Sequence, residues 1–288
     1  LRLDTRAVAI NRTAREVILD SDGRIGYDRL ILATGCRPRR LSVPGTDFAN
    51  VFGLRSIADA RRLKPVLQPG RRLAIIGGGF IGLEVAASAR TLGTEVAVIE
   101  RESRLLARVA NPLLSRVFHD AHHARGVSIE LDADVKEIAG EGTSAMAVRL
   151  ADSRVIACDA VLVGVGVSVN EELAAAAGLA CESGIVVDMS ARTSDPSIYA
   201  IGDCTRRPLA LYGQCWRLES VPNALEQAKQ AAADICSLPA PAPEVPWFWS
   251  DQFDIRLQIA GLPLQVDTLV VRGDPAEGRF AIYHLAAD

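Results

Sequence analysis

No CxxC pair, no cluster of metal-type ligands, no uninterrupted apolar run of about 18 residues and no excess of basic charge occur in this sequence. Each absence excludes a class of function. The six cysteines stand apart at positions 36, 158, 181, 204, 215 and 236, so neither zinc ligation nor dithiol chemistry on a neighbouring pair is expected. Dispersed thiols fit a reduced, cytoplasmic protein. Glu84 interrupts one candidate membrane span and Asp159 another, so no membrane association is expected. A net charge of -3 points to no polyanion, and Arg39–Arg40, Arg61–Arg62 and Arg71–Arg72 are too scattered for a nucleic-acid footprint; they read as solvated surface.

What is present is an apolar chain, 49% hydrophobic over 288 residues, long enough for two compact α/β domains. Its most informative stretch is Arg72 to Glu100. Leu73 to Ile76 is a short β-branched run that reads as a buried parallel strand, and it leads into Gly77, Gly79 and Gly82 in GxGxxG spacing. Gly77 permits the tight turn, Gly79 leaves room for a pyrophosphate, and Gly82 lets the next helix approach the sheet. Phe80 and Ile81 open that helix, whose first amides face the phosphates. Alanine-rich Leu83 to Leu92 continues it, Gly93 ends it, and Glu95 to Ile99 is the second strand. Glu100 closes the unit 18 residues after Gly82, where an acid accepts hydrogen bonds from a ribose. Its charge favours NAD over NADP; Arg101 and Arg104 nearby offer the opposite reading, a welcome for a 2′-phosphate, and a plain solvated strand end is the third.

Around this unit the pattern is regular. Leu1 to Ile10, Glu16 to Asp20 and Tyr27 to Ala33 read as strands of a meander broken by Thr34-Gly35, and Ser56 to Leu67 as a helix capped by Ser56. Downstream, Asn111 to Arg125 reads as a helix with Pro112 in its first turn. Val127 to Leu131, Val135 to Ile138, Ala145 to Leu150, Arg154 to Ala157 and Ala160 to Val165 read as strands. Gly164 and Gly166 end the last of these as Gly35 ends Tyr27 to Ala33, marking where the chain enters and leaves an inserted domain. The linker Pro239 to Pro246 precedes a further portion, in which Arg279 to Leu285 is a strand and Ala286 to Asp288 the start of a turn.

Six segments together resemble the NADH-dependent, FAD-containing ferredoxin reductases, the group that includes putidaredoxin reductase and the reductase components of aromatic-ring dioxygenases. They are DRLILATGCRPR (Asp28 to Arg39), LRSIADA (Leu54 to Ala60), IIGGGFIGLEVAA (Ile75 to Ala87), SIYAIGDC (Ser197 to Cys204), RLESVPNALEQA (Arg217 to Ala228) and PWFWSDQFDIRLQIAGL (Pro246 to Leu262). The resemblance implies two Rossmann-like, doubly wound α/β domains, the NAD domain inserted in the FAD domain, and the start of a small α+β C-terminal domain. It divides the chain into residues 1–55 (partial FAD domain), 56–167 (NAD domain), 168–240 (FAD domain continued) and 245–288 (partial C-terminal domain). On this reading an N-terminal βαβ unit and the end of the C-terminal domain lie outside the chain, and FAD retention is expected to be weak.

The same resemblance implies flavin contacts at Thr34, Gly35, Arg55, Asp203 and Val221, and a cofactor contact at Gly166. Asp203 reads as the acid of a strand-GD turn leading to a helix, either a flavin contact or a helix N-cap. Val221 begins the helix Pro222 to Cys236, whose positive end would stabilise a reduced flavin. Glu84 either complements its own helix dipole or, as the family implies, orients the nicotinamide carboxamide. Trp247 and Trp249 are core aromatics or, by resemblance, border the flavin edge and the docking face of an iron–sulfur partner. Ser168-Val169-Asn170 departs from the family, which carries proline before the asparagine. The function implied is electron transfer from NADH through FAD to a [2Fe-2S] ferredoxin. Rubredoxin or another small carrier as acceptor, and a non-catalytic NADH-responsive flavoprotein similar to apoptosis-inducing factor, are the alternatives.

Overall fold

The computed structural model describes residues 1–263 and 266–286. The chain forms two compact units. One comprises Leu1–Arg37, Ser168–Phe248 and Gln258–Leu264, the other Pro38–Val167, Trp249–Leu257 and Gln265–Asp288.

The second unit is organised by a five-stranded parallel sheet, in the spatial order Val51–Phe52, Ala160–Val163, Arg72–Ile76, Glu95–Ile99 and Val127–Glu130. Arg72–Ile76 lies in the middle, which is why Leu73 to Ile76 is apolar without alternation: both faces are covered and all four residues are buried. On one face, Leu73, Ile75, Val96, Val98 and Leu162 pack against the helices Phe80–Thr91 and Pro112–Ala124. On the other, Ala74, Ile76, Ile99 and Val161 pack against a three-stranded antiparallel meander of Val135–Glu141, Ser144–Leu150 and Val155–Ala157. Helices thus cover one face of this sheet and a meander the other.

Local chemistry fixes both long helices. Phe80–Thr91 buries Gly82, Leu83, Val85, Ala86, Ala87 and Ala89, the small residues allowing close approach to the sheet. Pro112–Ala124 starts where the Asn111 side chain accepts a hydrogen bond from the Leu114 amide at 2.9 Å, with proline in the first turn. Leu114, Phe118 and His122, one turn apart, make its buried face. The loop ahead of Ser56 joins this unit because Leu41, Val43 and Phe48 pack on the meander side, and Pro44 accepts a hydrogen bond from the Ile138 amide at 2.9 Å. Only glycine fits at position 45, where φ is +86° and a Cβ would lie 1.9 Å from the Ile138 carbonyl oxygen.

The first unit holds the antiparallel meander of Ala7–Asn11, Glu16–Leu19 and Arg24–Gly26, and a parallel pair of Leu30–Leu32 with Ile198–Ala200. The strand expected from Leu1 to Ile10 is shorter because only Ile10 reaches the core, beside Leu32, Ile185, Ile198 and Ala200, while Leu1 and Leu3 are exposed. The helix Val221–Ile235 is fastened to the strand Thr205–Leu209 by a buried ion pair. Arg207 donates to the Glu226 carboxylate at 2.8 and 3.1 Å, and Gln230 and the Glu244 amide donate to the same carboxylate at 2.9 and 3.1 Å.

The C-terminal segment contributes to both units. The strands Trp247–Gln252 and Ile255–Ala260 pair, and the tip between them belongs with the parallel sheet. Phe253, Ile255 and Leu257 pack against its helical core. The His122 ring meets the Phe253 ring edge-on at 5.0 Å, and Arg125 lies over that ring at 5.0 Å while pairing with Asp254. Farther on, Thr268–Asp274 pairs with Arg279–Leu285, as the sequence leads one to expect of the latter. The turn expected at Ala286 to Asp288 lies, apart from Ala286, outside the described residues.

Phe118 is wholly buried, so Phe118→Ala is expected to cost about 3–5 kcal/mol, read as a lower denaturant midpoint. His122 is also wholly buried, and burial holds its imidazole below its ordinary value near 6.5; the Arg125 charge acts the same way and the Gln252 hydrogen bond opposes it. The folded chain therefore takes up this proton only at lower pH than the unfolded chain. The stabilisation is complete above the ordinary value and is lost as pH falls through it toward the folded one. Urea midpoints between about pH 7.5 and about pH 5 should fall less steeply for His122→Gln than for the parent chain.

Candidate functional site

The residues read from GxGxxG meet at the C-terminal end of the central strand. Gly77 has φ +114°, and a Cβ there would lie 2.4 Å from the Gly164 carbonyl oxygen. The strand-ending loop Gly164 to Gly166 thus runs hard against the glycine turn. Gly164 donates its amide to Ile76 at 2.8 Å, and the Gly166 carbonyl accepts from the Arg39 amide at 2.9 Å. Gly166 has φ +95°, with the Arg108 guanidinium 3.4 Å from where its Cβ would stand. A Cβ on Gly82 would fall 2.1 Å from the Gly77 carbonyl oxygen, so the helix can approach the turn only with glycine at 82.

Gly79 differs from its neighbours. A Cβ there would meet nothing within 4 Å, and Gly79 is the N-cap of Phe80–Thr91 with no side-chain cap bond. The open space at this residue therefore lies at the positive end of a 12-residue helix, where an anion is stabilised by free amides and dipole together. Phe80 turns back to pack on the helical core, whereas Ile81 is 45% exposed.

Glu100 is fixed by the glycine turn itself. One carboxylate oxygen accepts the Gly78 amide at 2.6 Å, the other the Glu102 amide at 2.9 Å. Each oxygen keeps a lone pair for a hydroxyl donor. Gly78, which the spacing rule passes over, is the residue this contact requires: a Cβ on it would lie 2.6 Å from Leu105 and 3.0 Å from the Glu100 carboxylate. Arg104 is engaged within its own loop. Its guanidinium donates to the Ala107 and Ala110 carbonyls, both at 2.7 Å, and to Ser115 Oγ at 2.8 Å, closing the loop before the second helix. Arg101 projects into solvent beside Glu102.

Glu84, half-buried in the first turns of the same helix, has no cation paired with it among the described residues. Ser250 Oγ donates to its carboxylate at 2.6 Å. Burial pushes the Glu84 carboxyl above the ordinary glutamate range, the Ser250 hydrogen bond opposes that rise, and the nearby Asp251 charge adds to it. Ser250 and the equally buried Gln252 lie on the strand that carries Trp249, which is 39% exposed beside them. Neither polar residue was singled out from the sequence. The signal for them is the inward position of 250 and 252 in WFWSDQ, where an apolar side chain is the ordinary choice.

The remaining candidates gather in the first unit, except Arg55. Thr34 Oγ1 donates to the Asn170 carbonyl at 2.7 Å, and Asn170 Nδ2 returns a bond to the Thr34 carbonyl at 2.8 Å, with Gly35 at φ +60° between them and Cys36. The loop that departs from the family pattern is thus the one that pins Thr34 and Gly35. Cys36 Sγ donates to Asp203 at 3.3 Å. The helix expected after Asp203 is absent: Gly202–Cys204 is a single 3-10 turn followed at once by the strand Thr205–Leu209, so Asp203 is no helix cap. Gln227 explains this, since its carbonyl accepts from the Gly202 amide at 2.8 Å and Thr205 Oγ1 at 2.9 Å and holds the turn closed. Val221 is the first residue of its helix and 59% exposed, with Ser220 as N-cap. Arg55 lies in the second unit, exposed, with its amide bonded to Asp59 at 3.1 Å.

All six cysteines are free, and burial pushes the Cys158 thiol up to about 11, far from a reactive thiolate. Among the described residues no group of His, Cys, Asp and Glu is placed to hold a metal, and no helix is long and apolar enough to cross a membrane.

Residues 1–231 match the family described as pyridine nucleotide-disulphide oxidoreductase, and residues 247–288 match one described as reductase C-terminal. The chain is 50% identical to the probable ferredoxin reductase CtmF of Castellaniella defragrans over 278 residues, covering 96% of this chain and 68% of that protein. It is 42% identical to putidaredoxin reductase CamA of Pseudomonas putida, covering 99% and 68%. Among solved structures, the covalent putidaredoxin reductase–putidaredoxin complex superimposes with a TM-score of 0.96 at 40% identity, over 99% of this chain and 69% of that one. The family match over residues 1–231, and relatives 42–50% identical along nearly the whole chain, show that the chain belongs to the pyridine nucleotide-disulphide oxidoreductase family.

Proposed function

We propose that the chain serves a flavoprotein reductase that draws electrons from NADH through FAD and passes them to a [2Fe-2S] ferredoxin, in a cytoplasmic oxygenase or P450 system. The observation that carries the nucleotide half of this reading is the open Gly79 position at a helix N-terminus with Glu100 hydrogen-bonded beside it. In this reading residues 56–167 hold the nicotinamide nucleotide, residues 1–55 and 168–240 the flavin, and 245–288 the C-terminal reductase portion. The pyrophosphate lies along Gly77, Gly79, Phe80, Ile81 and Gly82, with Gly166 beside it. Glu100 accepts the ribose hydroxyls, and Glu84 accepts the carboxamide of the nicotinamide.

Residues on this chain fit a flavin as well. Thr34 and Gly35 form a hydrogen-bonded turn, Asp203 offers a half-buried carboxylate steadied by a thiol, and Val221 presents the start of a 15-residue helix. For Arg55 and Trp249 the proposed cofactor contact rests on the family resemblance alone. A bound flavin supplies the exchange between two-electron and one-electron transfer, and the protein supplies alignment and charge stabilisation. The absence of a neighbouring cysteine pair supports a carrier protein, not a disulfide, as the electron acceptor. The free cysteines support the cytoplasmic setting.

Three outcomes are expected. Titration calorimetry should give tighter binding of NADH than of NADPH. Glu100→Gln, which keeps an acceptor for the Gly78 amide, should narrow that gap on the order of tenfold, because a carboxylate about 4 Å from a phosphate costs roughly 1–4 kcal/mol; an unchanged ratio would remove Glu100 from the site. NADH affinity should weaken as pH falls through the raised value of Glu84, since the protonated carboxyl is the poorer acceptor, and Glu84→Gln should flatten that slope. In stopped flow, the whole flavoprotein that this chain serves, loaded with FAD and mixed with NADH and then ferredoxin, should bleach quickly and reduce the ferredoxin. Slow bleaching without ferredoxin reduction would favour the non-catalytic alternative.

A further inference from the structure

The Glu84 carboxylate is the end of a line of buried hydrogen bonds that begins at His122. Ser250 Oγ lies 2.6 Å from Glu84 Oε1, Gln252 Nε2 lies 3.0 Å from Ser250 Oγ, and Gln252 Oε1 lies 2.8 Å from His122 Nε2. Ser250, Gln252 and His122 are each 1% exposed or less. The direction of every proton follows from the acceptor at the far end. An ionised carboxylate only accepts, so the single Ser250 proton points at Glu84, and its oxygen is left to accept from an amide N–H of Gln252. The Gln252 carbonyl then faces His122, so the imidazole proton sits on Nε2. His122 Nδ1 is therefore the bare nitrogen, and it is the one with no partner.

All three bonds point their donors toward Glu84, and hydrogen bonds arranged in one direction polarise and strengthen one another. Glu84 has no cation to hold it, and no partner for Oε2 exists among the described residues. One oxygen is thus held by the strand Trp247–Gln252 and the other is left for a donor from outside the chain. We infer that Ser250, with Gln252 and His122 behind it, is a positioning residue that holds Glu84 in the one orientation that presents its free oxygen to the carboxamide of a nicotinamide nucleotide. This rests on the reading of Glu84 given above. It also makes a strand of the C-terminal segment part of nicotinamide recognition.

The test compares two ligands that differ in the nicotinamide ring alone, NADH and ADP-ribose. Ser250→Ala should weaken NADH about tenfold while leaving ADP-ribose within about twofold, and Ser250→Thr, which restores a hydroxyl, should recover NADH. In a Glu84→Ala background, Ser250→Ala should have no further effect on NADH. Equal weakening of both ligands would reduce Ser250 to a structural role and overturn the proposal, as would no change in either, or additive losses in the double variant. A parent chain that binds NADH and ADP-ribose would keep the nucleotide site in those cases. Failure of the parent to bind ADP-ribose would instead overturn that site, and the positioning role with it.

Discussion

The hydrogen bond from the Gly78 amide to the Glu100 carboxylate ties together the two halves of the nucleotide unit, and the rest of the site depends on it. At 2.6 Å it is a short, charge-assisted contact between the turn after one strand and the residue closing the next. It demands that the turn come within contact of the second strand. That in turn demands glycine at 78, where Leu105 and the carboxylate fill the space of a Cβ, at 77, where the Gly164 carbonyl does, and at 82, where the Gly77 carbonyl does. Three glycines are thus consumed by the protein's own packing. Gly79 alone is left facing open space, so the same constraint that closes the turn on three sides determines where a ligand can approach.

This division of labour explains what was legible in the sequence. Strand, glycines, helix and terminal acid follow one another within Arg72 to Glu100, and contacts that close in sequence leave a local pattern. The helix Pro112–Ala124 was legible for the same reason, since Asn111, Pro112 and the periodic Leu114, Phe118 and His122 all lie within it. What stayed hidden depends on residues far apart in the chain. The helix expected after Asp203 does not form because Gln227, on a later helix, takes the Gly202 amide and the Thr205 hydroxyl. Arg104 looks like a free cation in the sequence and is spent on the Ala107 and Ala110 carbonyls. Ser250, 166 positions after Glu84, carries no local mark beyond being polar at an inward strand position.

Two carboxylates show how the fold treats buried charge. Glu226 meets a guanidinium through two bonds and receives two more from Gln230 and the Glu244 amide, so nothing about it is left for a ligand. A charge withdrawn from water costs several kcal/mol unless it is paired and hydrogen-bonded in this way, about the whole margin by which a domain is stable. Glu84 is treated otherwise: it has one hydrogen bond and, among the described residues, no cation, and burial, reinforced by the neighbouring Asp251 charge, pushes its carboxyl up against the opposing Ser250 bond. A chain selected for stability alone would place an apolar residue or a cation there. Retaining the carboxylate, and burying Ser250 and Gln252 to support one of its oxygens, is intelligible if the stabilisation missing from the free protein comes from a donor that arrives with the nucleotide. On the proposed reading of Glu84, the position that is least satisfied in isolation is thereby the one best prepared to distinguish a nicotinamide from the adenosine half of the same molecule.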